Sequence, residues 1–564
     1  MNLPVMEEIS ASRDMIQEFG GYNHNFRIKE GEFYDMKNLT GDSYPLLSTR
    51  RKRGQVRQLI KPNGLFATDR LVWVDGTSLF YNGSLVGTVS DSEKTFVVMG
   101  AYLIVFPDKV AYNTHTGEFF PLGAKFVTVG NTNFCLAKVD GEAYNVKSTG
   151  GTAPEDPQNG ELWLDTSSSP HVLKQFSGNS GIWTAVPTTY VRIGAVGIGA
   201  SFKEYDCITI SGCTDQQFNT DLIIWARGDD YIVVTGMIDQ MATQSTPVTL
   251  ERRIPDMDFV TQCNNRVWGC SSARHEVYAC KLGDPTNWYC YMGLASDSYA
   301  ATIGSEGVFT GACTHAGYVL FFKDGMIHKV YGTQPSNFQI TDVRCRGVQG
   351  GSERSLASIN GYLYYKSRSG ICRYDGSLPV MISQSLGEEA YFAAAAGAVG
   401  NKYYISMRDA VGSYVMFAYD TGRGTWHKED GTRGKWFAYM DGDLYYIDSS
   451  GVLNCVYQSN GTPEDDLDWY AESGDIGLSL PDQKYVSRIQ IRMALESGSH
   501  FLLSVMYDSS GVWEQKIDIA STAFHNYNIP ILPKRCDHMK IRFHGTGNFR
   551  LYSVSKITEQ GSEM

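Results

Sequence analysis

The stretch GYLYYKSRSGICRYDGSLPVMI, residues 361–382, contains two runs of alternating apolar and polar residues joined by a turn rich in serine and glycine. Alternation at period two predicts β-strands with one buried face, and the Ser-Gly and Asp-Gly pairs predict the turns between them. Similar stretches recur at residues 70–83, 101–122, 265–291, 317–340, 402–429 and 435–456. A spacing of roughly 40 to 50 residues is typical of a four-stranded blade, so the sequence predicts a β-propeller of about six to eight blades.

The composition agrees with an all-β protein. The chain has 564 residues, among them 58 Gly, 34 Tyr and 10 Trp, and aromatic residues favour strands while glycine favours turns. Only two short stretches look helical, residues 7–19 (EEISASRDMIQEF) and residues 388–399 (EEAYFAAAAGAV). Neither is long enough to define the fold, and the length of the chain indicates two to four domains, on the order of 100–200 residues each.

Changes in pattern along the chain predict five segments. The Pro- and Gly-rich region around GTAPEDPQNGELWLD interrupts the blades, and per-repeat insertions of this kind leave a propeller on one face. About seven alternating strands at the end of the chain are typical of a β-sandwich. The expected segments are an N-terminal arm at 1–57, blades at 58–128, an inserted β module or modules at 129–256, further blades at 257–460, and a C-terminal β-sandwich at 465–564.

The charge of the chain argues against a surface that grips nucleic acid. The formal net charge is -12, whereas phosphate binding needs clustered Lys and Arg. One basic run occurs, at Arg50, Arg51, Lys52 and Arg53. It is interpreted as a solvated or salt-bridged loop, as a docking site for an acidic partner, or as a phosphate contact.

The sequence gives no catalytic, cofactor-binding or metal-ligating residue. Ser177, Asn179, Gly181 and Thr184 match the turn motif of sialidases once, but such turns are structural, and the Arg cluster, activated Tyr and paired carboxylates of glycosidases cannot be placed from sequence. The eleven His residues show no metal-binding spacing. Trp163 and Trp183 in the insertion either form the core of a small module or offer flat faces that stack on a carbohydrate.

Neither the cysteines nor the N-terminus indicate export. The twelve Cys residues are scattered singly through strand patterns without any CxxC, which favours reduced thiols in a protein made in a reducing cytoplasm. The sequence MNLPVMEEIS lacks the basic and apolar regions of a signal peptide, and no apolar run approaches the roughly 18 residues that would span a membrane. We therefore expect a chain without a membrane-spanning segment.

The segments NLTGDSYPLLSTRRKRG, NRVWGCSSARHEVYACKLGDPTNWYCY, DPQNGELWLDT and PKRCDHMKIRFHGTGNFRLYSVSKI together resemble tail-associated structural proteins of phages and prophages of Gram-positive bacteria. More loosely, the layout is similar to the propeller-containing nozzle proteins of short-tailed phages. The resemblance covers most of the chain and brings no catalytic residue.

The resemblance implies a virion structural protein of the tail, nozzle-like or tail-hub, that is not an enzyme and is assembled in the bacterial host cytoplasm. The implied partners are other copies of the chain in a ring, expected to be a hexamer, portal, adaptor or other tail proteins, and DNA that passes without specific binding. Two alternatives remain open, a receptor- or polysaccharide-binding tail module and a propeller glycosidase.

Overall fold

Seven antiparallel blades of four strands form a ring, as a β-propeller does; five of them are separate sheets and two are parts of larger sheets. The structure is a computed structural model that describes residues 11–478, 484–532 and 534–559. The first ten residues of the predicted arm and the last five of the predicted sandwich lie outside this range. The fold class predicted from the sequence is confirmed, and the number of blades is seven.

Each blade begins with an inner strand and runs outward through hairpins. With the innermost strand first, blade 1 comprises Pro62–Ala67, Leu71–Asp75, Ser78–Tyr81 and Ser84–Thr88. Blade 2 comprises Thr95–Met99, Tyr102–Phe106, Val110–Asn113 and Phe119–Pro121. Blade 3 comprises Phe259–Cys263, Arg266–Ser271, Glu276–Ala279 and Tyr299–Thr302. Blades 4 and 5 comprise Gly311–His315, Tyr318–Lys323, Met326–Tyr331 and Gln339–Arg344; and Ala357–Ile359, Tyr362–Ser367, Gly370–Tyr374 and Val380–Met381.

The last two blades are tied to other parts of the chain. Blade 6 comprises Phe392–Val399, Lys402–Arg408, Tyr414–Asp420 and Thr425–Lys428, and its outer edge continues through Gly21–Tyr22 into the sandwich. Blade 7 comprises Gly434–Met440, Asp443–Asp448 and Val452–Cys455, and takes its fourth strand, Gly54–Gln58, from the N-terminal segment. The short strand Thr462–Pro463 pairs with that same segment. The ring is therefore closed by a strand from the other end of the chain.

Tight turns explain why the sequence repeats are visible. The inner hairpins of blades 4, 5 and 7 turn at Ala316-Gly317, Asn360-Gly361 and Asp441-Gly442, and all six residues have positive φ. Two consecutive positive φ angles define the type I′ turn, whose twist matches that of the adjoining strands. Large apolar side chains then fill each space between neighbouring blades, for example Phe322 against Tyr365 with ring centroids 5.5 Å apart.

The insertion leaves the ring between blades 2 and 3 and forms three small sheets. The first sheet contains Ala124–Val127, Thr249–Arg252, Cys207–Ser211 and Asp221–Ile223. The second contains Ala226–Gly228, Tyr231–Thr235, Tyr190–Gly194, Thr132–Ala137 and Ala242–Gln244. The third contains Val146–Gly150, Leu162–Asp165, Val172–Ser177 and Ile182–Ala185. The first two sheets share an apolar core that includes Ile193, Phe218 and Leu250.

Two sheets form the sandwich, and the N-terminal segment contributes strands to both. One contains Ala11–Ile16, Leu39–Thr40, Leu47–Thr49, Lys484–Leu495, His525–Ile531, Arg535–Cys536 and Phe549–Glu559. The other contains Glu32–Lys37, Asp468–Ser473, Met539–Thr546, His500–Tyr507 and Glu514–Ala520. Trp469 of one sheet stacks on Phe549 of the other at 4.3 Å between ring centroids. Residues 11–49 are thus part of the sandwich.

Both stretches that look helical in the sequence contain strands. Residues 11–16 pair with the last strand of the sandwich, and residues 392–399 form the inner strand of blade 6. Among the residues that the structure describes, the helical segments are four single 3-10 turns, at Gln216–Phe218, Pro335–Asn337, Glu353–Ser355 and Gln384–Leu386. No helix in this part of the chain is long and apolar enough to cross a membrane.

Candidate functional site

The central channel of the ring does not carry acidic groups on its inner strands. The seven inner strands read PNGLFA, TFVVM, FVTQC, GACTH, ASI, FAAAAGAV and GKWFAYM, without any Asp or Glu. A cavity of about 530 Å³ lies among the inner strands of blades 5, 6 and 7, lined mainly by small apolar residues such as Ala396 and Ala398. Hydrolysis of a glycoside needs carboxyl groups, so the channel wall is not the place for it.

Charged groups gather instead on the face of the ring that carries the links between blades, which we call the upper face. The link from blade 5 to blade 6, residues 382–391, and the turn at Arg368 and Ser369 border a pocket of about 290 Å³. Its lining includes Lys366, Arg368, Glu388, Glu389 and Tyr391, and we call it the blade 5–6 pocket. The single 3-10 turn Gln384–Leu386 fixes the course of the link.

Lys366 is a buried cation without an acidic partner. It is the last residue but one of the strand Tyr362–Ser367 and is 2% exposed, and its Nζ donates to Gln349 Oε1 at 2.9 Å and to the Ser367 carbonyl at 2.6 Å. Among the described residues no carboxylate lies within ion-pair distance of its Nζ. Burial lowers the pKa of Lys366 from 10.5 to about 8. An ammonium group has three donors, and these two contacts use two of them.

Tyr391 and Glu389 form the second chemical feature of the pocket. The Tyr391 hydroxyl donates to Glu389 Oε2 at 2.6 Å, and the ring is buried against Phe417 with centroids 5.7 Å apart. Burial and the hydrogen bond to Glu389 raise the pKa of Tyr391. The phenol therefore stays protonated, and the Glu389 carboxylate is a base at hydrogen-bond distance from its proton.

The pocket also holds a second carboxyl group and a second cation. Glu388 and Arg368 are exposed and line the same pocket, and no ion pair of either side chain is found within the described part of the chain. Two carboxyl groups, a tyrosine and two cations thus surround one small volume. This set can bind an anionic ligand and transfer protons to and from it.

A second cleft on the upper face, of about 510 Å³, lies where the insertion leaves the ring. Most of its charges are already paired: Asp108 with Lys94 at 2.6 Å, Asp256 with Lys109 at 2.6 Å, and Arg253 with Asp221 at 2.8 Å. Its side chains hold the insertion against blade 2, and the blade 5–6 pocket is the better candidate site.

The basic run is divided between a buried network and the surface. Arg53 binds Glu429 at 2.5 Å and Asp430 at 2.8 Å, while Arg50 binds Glu464 at 2.5 Å, and both arginines are buried. The contacts of Arg53 join the N-terminal segment to the link between blades 6 and 7, and the contact of Arg50 joins it to the segment that follows blade 7. Arg51 is exposed, and Lys52 pairs with Asp466 at 2.7 Å on the surface. Docking by this run stays a prediction, for which the exposed Arg51 and Lys52 are the accessible members.

Trp163 and Trp183 lie together in the small third sheet of the insertion. Trp163 is 5% exposed and donates from its indole nitrogen to the Gly150 carbonyl at 2.9 Å. Trp183 is half-buried and packs edge-on against Trp163 with ring centroids 5.4 Å apart. The two rings form the apolar centre of this sheet, and carbohydrate stacking by them stays a prediction. The sialidase-like turn, Ser177 to Thr184, is the hairpin of the same sheet.

The residues of the blade 5–6 pocket were not predicted from the sequence. One signal was present: Lys366 is the single charge in the strand YLYYKS, whose last five residues are buried. The acidic pair Glu388 and Glu389 stood in a stretch that looked helical, so its place in a link between blades was not recognised. Long-range packing, which the sequence does not display, brings the pair to Lys366.

Comparison with known proteins shows only distant similarity. No family model and no curated protein matches the sequence. The similar solved structures include an exo-β-1,3-galactanase of Phanerochaete chrysosporium with galactose, at 8% identity, 52% of this chain, 92% of that chain and a TM-score of 0.20. An engineered GH43 glycoside hydrolase with endo-xylanase and exo-arabinofuranosidase activity is 8% identical, and the match covers 54% of this chain and 97% of that chain with a TM-score of 0.20. Raptor of Chaetomium thermophilum is 10% identical, and the match covers 74% of this chain and 30% of that chain with a TM-score of 0.31.

These comparisons correct two predictions. The predicted tail nozzle or hub and the prediction that the chain is not an enzyme are wrong, because similar structures include GH43 glycoside hydrolases. The likeness itself extends to the fold alone, so any chemistry has to be assigned from the residues of this chain. The ring of copies, the tail partners and the location in a virion stay predictions.

Proposed function

We propose that the chain is a glycoside hydrolase that cleaves an anionic glycan at the blade 5–6 pocket. One observation carries the proposal: a tyrosine hydrogen-bonded to a carboxylate, Tyr391 and Glu389, shares a pocket with the unpaired buried cation Lys366. Sialidases act through a Tyr nucleophile, and a cation beside such a tyrosine can bind the carboxylate of an acidic sugar. The support comes from the pocket and does not depend on the distant structural similarities.

Each side chain has a role in a two-step reaction. Tyr391 Oη attacks the anomeric carbon while Glu389 accepts the phenol proton, and the glycosidic C–O bond breaks as Glu388 donates a proton to the departing oxygen. Water then attacks the same carbon and breaks its bond to Tyr391. Glu388 accepts the proton of that water, and Glu389 returns a proton to Tyr391 Oη, so the groups regain their initial states.

The charge of the pocket sets the substrate class. A buried ammonium without a carboxylate partner is unfavourable, and an anionic ligand would compensate it. A sugar carboxylate that accepts the third hydrogen bond of Lys366 and contacts the guanidinium of Arg368 supplies that charge. The pocket of about 290 Å³ has room for one sugar ring and little more, which favours attack at the end of a chain.

The test uses fluorogenic 4-methylumbelliferyl glycosides of N-acetylneuraminic acid, glucuronic acid and galactose with the purified chain. We expect hydrolysis of an acidic glycoside in preference to the galactoside. Tyr391→Phe and Glu389→Gln should each lower kcat by roughly 100-fold or more, because proton transfer and nucleophilic attack both fail.

A matched control is available in blade 3. Tyr278 also donates to a carboxylate, that of Glu276, but it lies away from the blade 5–6 pocket, so Tyr278→Phe should retain activity. Absence of hydrolysis for every acidic glycoside, or equal activity of Tyr391→Phe and the unaltered chain, would overturn the proposal.

A further inference from the structure

A separate cleft of about 510 Å³ lies between blade 7 and the sandwich. Arg51 and Tyr457 form the wall on the side of blade 7, and Glu496, Phe524 and Arg550 form the wall on the side of the sandwich. We call this space the junction cleft. It is a different place from the blade 5–6 pocket, and the two share no lining residue.

Most charges in the junction cleft are already compensated. Asp42 forms an ion pair with Lys402; burial alone would raise the pKa of Asp42, but Lys402 lowers it below its ordinary value. Lys52 pairs with Asp466 at 2.7 Å, and Glu496 accepts from the Asn548 side-chain amide at 2.7 Å. Neither Arg51 nor Arg550 has an ion pair with any residue that the structure describes. Two guanidinium groups from different parts of the chain therefore line one cleft without carboxylate partners.

Aromatic rings and hydroxyl groups complete the lining. The guanidinium carbon of Arg51 lies 5.3 Å from the centre of the Tyr457 ring, which limits where the side chain can go. Phe524 lines the same cleft and is 60% exposed, so its ring is accessible to a ligand there. Ser43, Ser48 and Thr49 add hydroxyl donors to the same cleft.

We propose that the junction cleft binds a phosphate monoester carried on a ring-shaped molecule. The forked donors of Arg51 and Arg550 match the oxygens of a phosphate, and serine and threonine hydroxyls supply further hydrogen bonds. Tyr457 and Phe524 offer faces for the ring that bears the phosphate. A nucleoside monophosphate and a sugar phosphate share this chemistry. Binding here does not depend on hydrolysis at the blade 5–6 pocket.

The experiment is isothermal titration calorimetry of the full chain with AMP, glucose 6-phosphate and inorganic phosphate as separate probes. We expect at least one ring-bearing probe to bind more tightly than inorganic phosphate, and the choice between the two identifies the ring. Arg51→Ala and Arg550→Ala should each weaken that probe at least 10-fold. Phe524→Ala should weaken the ring-bearing probe and leave inorganic phosphate unchanged.

Arg433 supplies the control, because its guanidinium carbon lies 4.6 Å from the Tyr414 ring and it is equally exposed outside the cleft. Arg433→Ala should leave binding unchanged. Thermal unfolding of each variant verifies that it is folded, and Arg550→Lys, which keeps the charge but loses the fork, should bind at an intermediate level. Failure of all three probes to bind, or equal losses in Arg51→Ala and Arg433→Ala, would overturn the proposal.

Discussion

Arg354 and Glu93 form an ion pair of 2.7 Å between two links that lie almost opposite each other in the ring. Arg354 precedes blade 5 and Glu93 precedes blade 2, so in a ring of seven blades the contact spans the upper mouth of the channel. The Arg354 guanidinium carbon also lies 5.0 Å from the Trp436 ring of blade 7. The bridge therefore crosses the entrance of the channel.

Breaking this bridge should change stability only slightly. The two side chains are 31% and 61% exposed, and solvent-exposed ion pairs contribute roughly 0.2–1 kcal/mol. A double-mutant cycle with Glu93→Gln and Arg354→Met, read from denaturant unfolding, should give a coupling free energy in this range. A coupling of several kcal/mol would show that the bridge is a main support of the ring.

The buried network around Arg53 should be much more sensitive. Replacing Arg53 by Met leaves Glu429, which is 4% exposed, and Asp430 without their main partner. We expect a loss of about 3–5 kcal/mol in the free energy of unfolding, because uncompensated buried charge is costly. The exposed neighbour Arg51→Met is the control and should change it by less than about 0.5 kcal/mol. Similar losses for both variants would contradict the network.

Gly397 tests how closely the inner strands pack. A Cβ at this position would lie 2.6 Å from the Phe437 Cβ and 2.7 Å from a Leu444 methyl carbon. Gly397→Ala should therefore lower the free energy of unfolding by about 1–3 kcal/mol, as overpacking does. Gly350→Ala meets no atom within 4 Å and should be nearly neutral. Equal thermal stability of the two variants would contradict the close approach of blades 6 and 7.

Lys366 should make the stability of the chain depend on alkaline pH. Its folded-state pKa of about 8 lies below the ordinary value of 10.5, so the charged form is disfavoured in the folded chain. The stability is therefore lowest below pH 8 and rises as the pH increases from 8 towards 10.5. Lys366→Met should remove this rise and should stabilise the chain at neutral pH by up to roughly 3 kcal/mol. Denaturant unfolding at pH 7, 8.5 and 10 provides the measurement, and an unchanged slope in the variant would contradict the assignment.

The two tryptophans of the insertion should differ in their effect on stability. Trp163 is 5% exposed and anchors its sheet, so Trp163→Ala should cost about 3–5 kcal/mol in the local unfolding of that sheet. Trp183→Ala should lower the free energy of local unfolding by less, because Trp183 is only half-buried. Hydrogen exchange of residues 146–185 distinguishes local from global unfolding. Glycan binding that is lost in Trp183→Ala with the sheet intact would instead support the stacking role.

The repeats predicted the ring because local rules act within each blade. Pairs such as Asn360-Gly361 predict tight turns, and apolar and polar residues alternate at period two in the strands around them. The inner strand of blade 6 looked helical in the sequence for a physical reason. Neighbouring inner strands come close at the axis, so this one is rich in Ala and Gly, and Ala is also the best helix former. Packing between the blades therefore imposes a strand on residues with a high helix propensity.

Long-range pairing limited the prediction of both the N-terminal segment and the site. Within residues 11–49, the short strands Ala11–Ile16, Glu32–Lys37 and Leu47–Thr49 pair with strands of residues 468–559, so nothing local marks them as part of a sandwich. Lys366 contacts Gln349 of the link before blade 5 and shares a pocket with Glu389 of the link after it. The spacing of these residues in the sequence does not predict that they lie close together.

The strand Gly54–Gln58 that completes blade 7 has a consequence for the order of events during synthesis. Its partner Val452–Cys455 leaves the ribosome about 400 residues later, which at roughly 5–20 residues per second is on the order of 20–80 s. Until then Gly54–Gln58 has no partner in blade 7, and the new chain exposes unpaired strand edges that can join with other chains. Ring closure is therefore a late and slow step of folding, and the chain is most exposed to aggregation in the interval before it.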